Sequence, residues 1–151
     1  TAIEAIDYLL GNRKVGQNVA VIGGGLTGCE IAYDLYLKGK HPTIIEMQDD
    51  LITTKGICLA NTSYLRDFFK TNKVPVFLET YLSQIKSGSV ELIDKTGNQF
   101  ALPADSVIMS VGYTPAPIAA KGKHIHVIGD AAKVGNLRTV IWGAWDVCMK
   151  L

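Results

Sequence analysis

Asn18-Val-Ala-Val-Ile-Gly-Gly-Gly-Leu-Thr-Gly-Cys-Glu-Ile-Ala-Tyr-Asp-Leu-Tyr-Leu-Lys-Gly39 decides the fold of this chain. Its first part, Val19 to Ile22, is a continuous apolar run rich in β-branched residues, the pattern of a strand buried on both faces. The run opens directly into Gly23-Gly-Gly-Leu-Thr-Gly28, a G-x-G-x-x-G. From Leu26 the apolar positions (Leu26, Cys29, Ile31, Ala32, Leu35) take helical spacing, and Gly39 is a natural stop. Strand, glycine turn and helix in this order make a phosphate cradle. Gly23 permits the tight turn, Gly25 lets a pyrophosphate approach the backbone, and Gly28 lets the helix pack close to the strand. The free N–H groups and positive dipole end of the helix face the anion. The motif by itself is weak; the strand before it and the helix after it are what give it weight.

A second strand follows at residues 43–47, with Pro42 at its start, where a missing N–H does little harm. Glu46 ends that strand, 18 positions beyond Gly28. A carboxylate there accepts hydrogen bonds from the hydroxyls of an adenosine ribose and repels a 2′-phosphate. Met47, Gln48, Asp49 and Asp50 come next and offer no arginine to grip such a phosphate. The pattern favours NAD(H), or the adenosine half of FAD, over NADP(H).

Composition narrows the class without choosing within it. The 151 residues are 48% hydrophobic and 19% charged with a formal charge of +1, which suits one globular domain and gives no electrostatic case for nucleic acid or an anionic membrane. No apolar run approaches the ~20 residues of a membrane span. The three cysteines, Cys29, Cys58 and Cys148, are far apart, so a dithiol redox pair, an iron–sulfur cluster or a zinc site is not expected within these residues. Buried thiols in a reducing cytoplasm are the expectation. Thr1 is no initiator, and residues 147–151 read as stopping inside a helix, so the sequence reads as a piece of a longer protein.

Outside the cradle, residues 1–10 read as a short amphipathic helix with Ile3, Ile6 and Leu10 on one face, and residues 11–17 as a polar connector. Residues 51–56 read as a loop. Cys58, Thr62, Leu65 and Phe69 mark a second helix, and residues 74–78 a third strand that Pro75 confines to a sheet edge. Residues 82–86, 89–94 and 99–102 are short strands separated by glycine-bearing turns, hence a small antiparallel meander in place of a crossover helix. Residues 105–112 form another buried strand ending in Gly112. Residues 124–130 read as a short strand closing on Gly129-Asp130. A last helix covers about residues 137–150. His124 and His126 would share a strand face, but with no third ligand no metal site is expected. The fold class is therefore α/β: a Rossmann-like parallel sheet flanked by helices, with the meander added.

The order of strand–GxGxxG–helix–strand–Glu, meander, Ser110-Val-Gly-Tyr-Thr-Pro115 and Ile128-Gly-Asp-Ala131 resembles the pyridine-nucleotide-disulfide-reductase type of flavoprotein. In that family an NAD(P)H-binding domain is inserted within an FAD-binding domain. Gly23 to Glu30 and the tail Thr139-Val-Ile-Trp-Gly-Ala-Trp-Asp146 are similar to the C-terminal region of 2-enoate reductases, 2,4-dienoyl-CoA reductases and related NADH:flavin oxidoreductases. The resemblance implies that Gly23, Gly24, Gly25, Gly28 and Glu46 hold NADH and that Leu26 and Thr27 lend N–H groups to its pyrophosphate. It implies that Glu30 lies near the nicotinamide and the flavin; without the resemblance, Glu30 is a polar residue in the first turns of a helix. It further implies that Gly112 marks the chain crossing back towards the flavin and that Gly129-Asp130 is the second FAD motif.

On this reading residues 1–17 are a helix and connector from a flanking FAD domain, 18–114 the NAD(H)-binding domain, and 115–151 a return segment. The fragment positions NADH for hydride transfer to FAD in a longer, cytoplasmic 2-enoate reductase-like enzyme that reduces an activated C=C bond. Its partners are NADH and the rest of its own chain, an FAD domain and a barrel bearing flavin and an iron–sulfur cluster. The fragment needs no catalytic residue of its own and is expected to be inactive alone. The first FAD motif and the barrel's cysteines are not among these residues. Two alternatives remain open on the sequence: the glycine loop is itself the FAD site, or the chain is a nucleotide-sensing module without catalysis.

Overall fold

The computed structural model describes residues 2–54 and 56–151. Thr1, in the expected N-terminal helix, and Lys55, in the expected loop at 51–56, lie outside the described residues. The chain divides into two units, one running to Val111 and the other Gly112–Leu151.

The first unit begins with β1 (Ala2–Glu4) and α1 (Ala5–Leu9), followed by β2 (Asn18–Ile22), α2 (Leu26–Leu37), β3 (His41–Ile45), α3 (Leu59–Thr71) and β4 (Val76–Phe77). Three more strands, β5 (Thr80–Lys86), β6 (Ser89–Asp94) and β7 (Gln99–Pro103), form the antiparallel meander, and β8 (Ser106–Met109) returns to the main sheet. That sheet is parallel, in the order β1-β8-β2-β3-β4. The connections from β2 step outward through β3 to β4. The chain then crosses back to place β8 on the other side of β2. The strand order therefore reverses between β2 and β8, the kind of switch point where open α/β sheets bind ligands.

The continuous apolar run at residues 19–22 is explained by burial on both sides. Val19 and Val21 pack with Cys29, Ile31, Leu35, Ile44, Leu65, Phe69 and Ile108 in the helix-side core. Ala20 and Ile22 face the other way and pack with Ile45, Val90, Leu92, Ala104 and Val107 under the meander. The meander thus covers the face that a crossover helix would otherwise cover. Each Ile or Leu buried this completely contributes roughly 1.5–3 kcal/mol of transfer free energy.

Pro42 sits where the ladder tolerates it. On β3 the N–H groups of Ile44 and Glu46 donate towards β4, to Pro75 and Phe77 carbonyls at 2.9 and 2.8 Å, while His41 donates the other way, to Gln17. By this alternation position 42 faces the β4 side, where the ladder has not yet begun. The strand runs from His41 to Ile45 rather than over 43–47. Pro75 precedes β4, which is an edge strand as its proline requires.

Three sequence expectations are corrected. Of the three thiols expected to be buried, Cys29 is, whereas Cys58 and Cys148 are exposed. The N-terminal segment is not a helix throughout, because Ala2–Glu4 pair in parallel with Val107–Met109 of β8. Ile3 is buried there while Ile6 and Leu10 are exposed, so the three do not share a face. A ten-residue helix is marginal in water, and the open edge of β8 offers the extended backbone a full set of partners. Residues 124–130 are not a strand either. They show one antiparallel bridge, Gly122 to Ile125, and a 3₁₀ turn at Gly129–Ala131. The second unit contains no neighbouring strand among its described residues to complete a ladder, and backbone groups without a ladder turn to local bonds.

The second unit otherwise consists of α4 (Leu137–Cys148), started by a capping box in which the Asn136 side chain accepts from the Thr139 N–H. No residue of α4 is buried, and Leu137, Ile141, Trp142 and Trp145 stand exposed.

At the entering ends of the strands, Asp105 ties β8 to β2. Its Oδ2 accepts from the Asn18 N–H at 2.7 Å, the Gln17 N–H at 3.1 Å and Asn18 Nδ2 at 3.1 Å. These bonds hold the Asp105 carboxyl below its usual range. A carboxylate depressed in the folded state adds stability above its unfolded value, and that stability is lost as pH falls through the folded value. We therefore predict that Asp105→Asn lowers Tm at pH 7 and that the difference from wild type shrinks as the pH is taken below about 3.8. Thermal melts across pH 3–7 measure it, and a gap of constant size would show that the carboxylate charge is not what matters.

Candidate functional site

The glycine loop leaves β2 at its carboxyl end, beside the end of β8, at the point where the strand order reverses. Three pieces of backbone converge there with no room for side chains. Gly23 has φ +107°, and a Cβ on it would lie 2.2 Å from the Ser110 carbonyl oxygen. A Cβ on Gly28 would lie 1.9 Å from the Gly23 carbonyl oxygen, well inside contact distance. Gly25 differs: its φ is −66°, and a Cβ there would meet nothing within 4 Å. Gly23 and Gly28 are thus required by the fold, whereas Gly25 borders open space. This is the division of labour expected of a loop that admits a pyrophosphate.

Gly25 is also the N-cap of α2, and no side chain caps that end. The first N–H groups of an α-helix have no partner within it, so the start of α2, at Leu26 and Thr27, presents donors and a positive dipole end to an anion. Residues of this kind fit the pyrophosphate of a dinucleotide. Glu30 lies one turn further along α2 and is exposed.

Glu46 has a role that the sequence did not disclose. It is buried, at 8% exposure, and both carboxylate oxygens are engaged. Oε2 accepts from the Gly24 N–H at 2.5 Å and Oε1 from the Gln48 N–H at 2.7 Å. The carboxylate therefore links the end of β3 to the glycine loop. Each oxygen has a second lone pair, so these bonds leave capacity for a further donor.

The loop after β3 locks onto the same glycine. The Ile52 N–H donates to the Gly24 carbonyl at 2.8 Å, and the Cys29 thiol donates to that carbonyl at 3.3 Å. Ile52 holds φ +52°, a conformation costing a β-branched residue on the order of 1–3 kcal/mol. It persists because the side chain is buried and the N–H is bonded. Burial, and then the nearby Glu46 charge, push the Cys29 thiol up to about 12, so it packs as an inert group.

Arg66 is a residue that sequence spacing missed. Residues 47–50 contain no arginine, but α3 brings Arg66 against the same loop. Its Nε and Nη2 bind the Asp50 carboxylate at 3.1 and 2.9 Å, and Nη2 also donates to the Leu51 carbonyl. The guanidinium holds the Asp50 carboxyl below the usual range. No local signal could reveal the pair, since Asp50 and Arg66 lie 16 residues apart on different elements.

Gly112, Gly129 and Asp130 belong to the second unit. Gly112 takes φ +96°. Gly129 opens the 3₁₀ turn, and Asp130 Oδ1 accepts from the Gly135 N–H at 3.0 Å. Gly129, Lys133, Gly135 and Thr139 border a cavity of about 320 Å³ within that unit. A larger cavity of about 440 Å³ lies at the entering ends of β2 and β3, away from the glycine loop. Two of its polar side chains are already partnered, Tyr36 with Asn72 and Lys40 with the Val15 and Gly16 carbonyls.

The parallel sheet, the switch point and the glycine loop define a Rossmann-like α/β unit. Residues 4–141 match the pyridine nucleotide-disulphide oxidoreductase family, and the chain belongs to that family. It is 35% identical over 153 residues to cinnamate reductase of Clostridium sporogenes, covering 97% of this chain and 23% of that protein. It is 29% identical over 158 residues to NADH oxidase of Thermoanaerobacter brockii, covering 98% of this chain and 24% of that protein. In fold it is similar to a 2-naphthoyl-CoA reductase solved with 2-naphthoyl-CoA, with a TM-score of 0.84, 23% identity, and 99% of this chain but 23% of that one covered. The chain thus spans about a quarter of the length of these relatives. No helix among the described residues is long and apolar enough to cross a membrane.

The two glycines predict opposite behaviours. Gly28→Ala should lower stability by more than about 3 kcal/mol, because backbone must move to admit the methyl group. Gly25→Ala should cost at most about 1 kcal/mol, because Ala is a poorer N-cap than Gly, and weaken dinucleotide binding at least about tenfold. Denaturant melts and calorimetric titrations of the two variants test this, and equal destabilisation by both would contradict the assignment.

Proposed function

We propose that this chain is the NADH-binding part of a flavin-dependent reductase of the 2-enoate reductase type, and that the glycine loop receives the NADH pyrophosphate. The observation that carries the reading is the open space at Gly25, beneath an uncapped helix start and beside a carboxylate at the end of β3. Family membership and the cinnamate reductase relative support an oxidoreductase role.

Within this reading, Gly25, Leu26 and Thr27 present backbone N–H groups to the pyrophosphate. Glu46 does two things: it holds the glycine loop through the Gly24 N–H, and it accepts from the adenosine ribose hydroxyls with its remaining lone pairs. Its negative charge disfavours a 2′-phosphate at the same position. Glu30 stands near the nicotinamide end. NADH supplies the hydride, which the whole protein passes through FAD towards an activated C=C bond. This chain contributes binding and orientation and supplies no nucleophile or general base.

Gly129 and Asp130 form the second FAD motif, and Gly112 marks the crossing back towards the flavin. The exposed Leu137, Ile141, Trp142 and Trp145 of α4 suit a segment covered by further protein, consistent with partners in the rest of a longer chain.

Titration of the oxidised nucleotides into the whole protein that carries this chain tests the assignment without turnover. NAD⁺ should bind at least about tenfold more tightly than NADP⁺. Glu46→Ala should narrow that ratio and weaken both nucleotides, because the Gly24 N–H loses its partner. A preference for NADP⁺, or FAD displacing NAD⁺ from the glycine loop, would overturn it.

A further inference from the structure

We propose that Asp50 is a specificity-determining residue of the nucleotide site: by neutralising Arg66, which α3 brings to the loop after β3, it keeps that cation from rewarding a 2′-phosphate. The inference rests on the NADH reading above and adds residues to it that the ribose carboxylate alone does not supply.

The contacts run continuously from the ribose carboxylate to the guanidinium. Glu46 holds the Gly24 N–H, and the Gly24 carbonyl accepts from Ile52. A Cβ on Gly24 would lie 2.5 Å from Leu51 Cδ2, so Leu51 packs directly on the loop. The Leu51 carbonyl in turn accepts from Arg66 Nη2, and the Leu51 N–H donates to Asp50 Oδ1 at 2.7 Å. Residues 50–52 therefore link Arg66 to Gly24, and through it to Glu46.

An arginine is the side chain best suited to a phosphate, since its planar fork binds two oxygens at once. In this chain Asp50 already fills that fork with a carboxylate, through Nε and Nη2. Asp50 also brings a negative charge of its own to the loop. Both effects act against a phosphorylated ribose and neither weakens an unphosphorylated one. Asp50 is thus a positioning residue acting through Arg66. The pair is half-exposed, so its worth to folding is small and a role in selectivity can be separated from a role in stability.

The experiment compares dissociation constants for NAD⁺ and NADP⁺ in the whole protein, for wild type, Asp50→Asn, and Asp50→Asn combined with Arg66→Gln. Asparagine keeps an acceptor for the Leu51 N–H while removing the charge, and thermal melts confirm that each variant folds. The expected result is an Asp50→Asn variant whose NADP⁺-to-NAD⁺ ratio of dissociation constants falls about five- to tenfold, with most of that fall lost in the double variant. A wild-type preference for NAD⁺ together with an unmoved ratio in Asp50→Asn overturns the role of Asp50 and leaves the NADH reading standing. A gain that survives undiminished in the double variant overturns the route through Arg66. A wild type that prefers NADP⁺ removes the NADH reading and this inference with it.

Discussion

Two carbonyl oxygens, those of Gly23 and Ser110, lie where the Cβ atoms of ordinary residues at 28 and 23 would be. That exclusion sets the geometry of the first unit. It brings the start of α2 down onto the end of β2 and sets the end of β2 against the end of β8. The switch point is then a narrow junction of backbone rather than a gap filled by side chains. Everything proposed for the site depends on this closeness, because a helix start displaced by one methyl group would no longer aim its N–H groups at the same point.

The junction is reinforced from two directions. At the entering ends of the strands, Asp105 binds the Asn18 and Gln17 N–H groups, and the Ser106 hydroxyl accepts from the Gly16 N–H at 2.9 Å. At the leaving ends, Glu46 and Ile52 hold the N–H and the carbonyl of Gly24. The loop is therefore shaped by the chain's own bonds, and on the proposed reading binding need not supply that ordering. Preorganisation of this kind raises affinity by lowering what must be immobilised on association. It also explains why a β-branched residue tolerates φ +52° at position 52, where its burial and its N–H bond serve the same loop.

The sequence made most of this readable because the decisive features are local. A β-branched run, three glycines at fixed spacing and a helical stripe all fall within residues 18–39, and the hairpin turns of the meander are equally local signals. What escaped was set by distant partners. Residues 2–4 are extended because β8, more than 100 positions later, offers an edge to pair with. Residues 124–130 have the composition of a strand, but no neighbouring strand among the described residues of their unit extends the one bridge at Ile125. Spacing raised the expectation that Glu46 accepts from a ribose, but its bonds to Gly24 and Gln48 depend on how the chain turns after β3. Arg66 was invisible at the site for the same reason: only the packing of α3 brings it to the loop that follows Glu46.

Hydrogen exchange read by mass spectrometry, on the whole protein with and without NAD⁺, tests the central claim most directly. The account predicts that NAD⁺ slows exchange in peptides covering residues 23–30 and 46–52, and leaves the cavity-lining residues 40–43 and 72–75 unchanged. Protection at the latter residues with none at the glycine loop would contradict it.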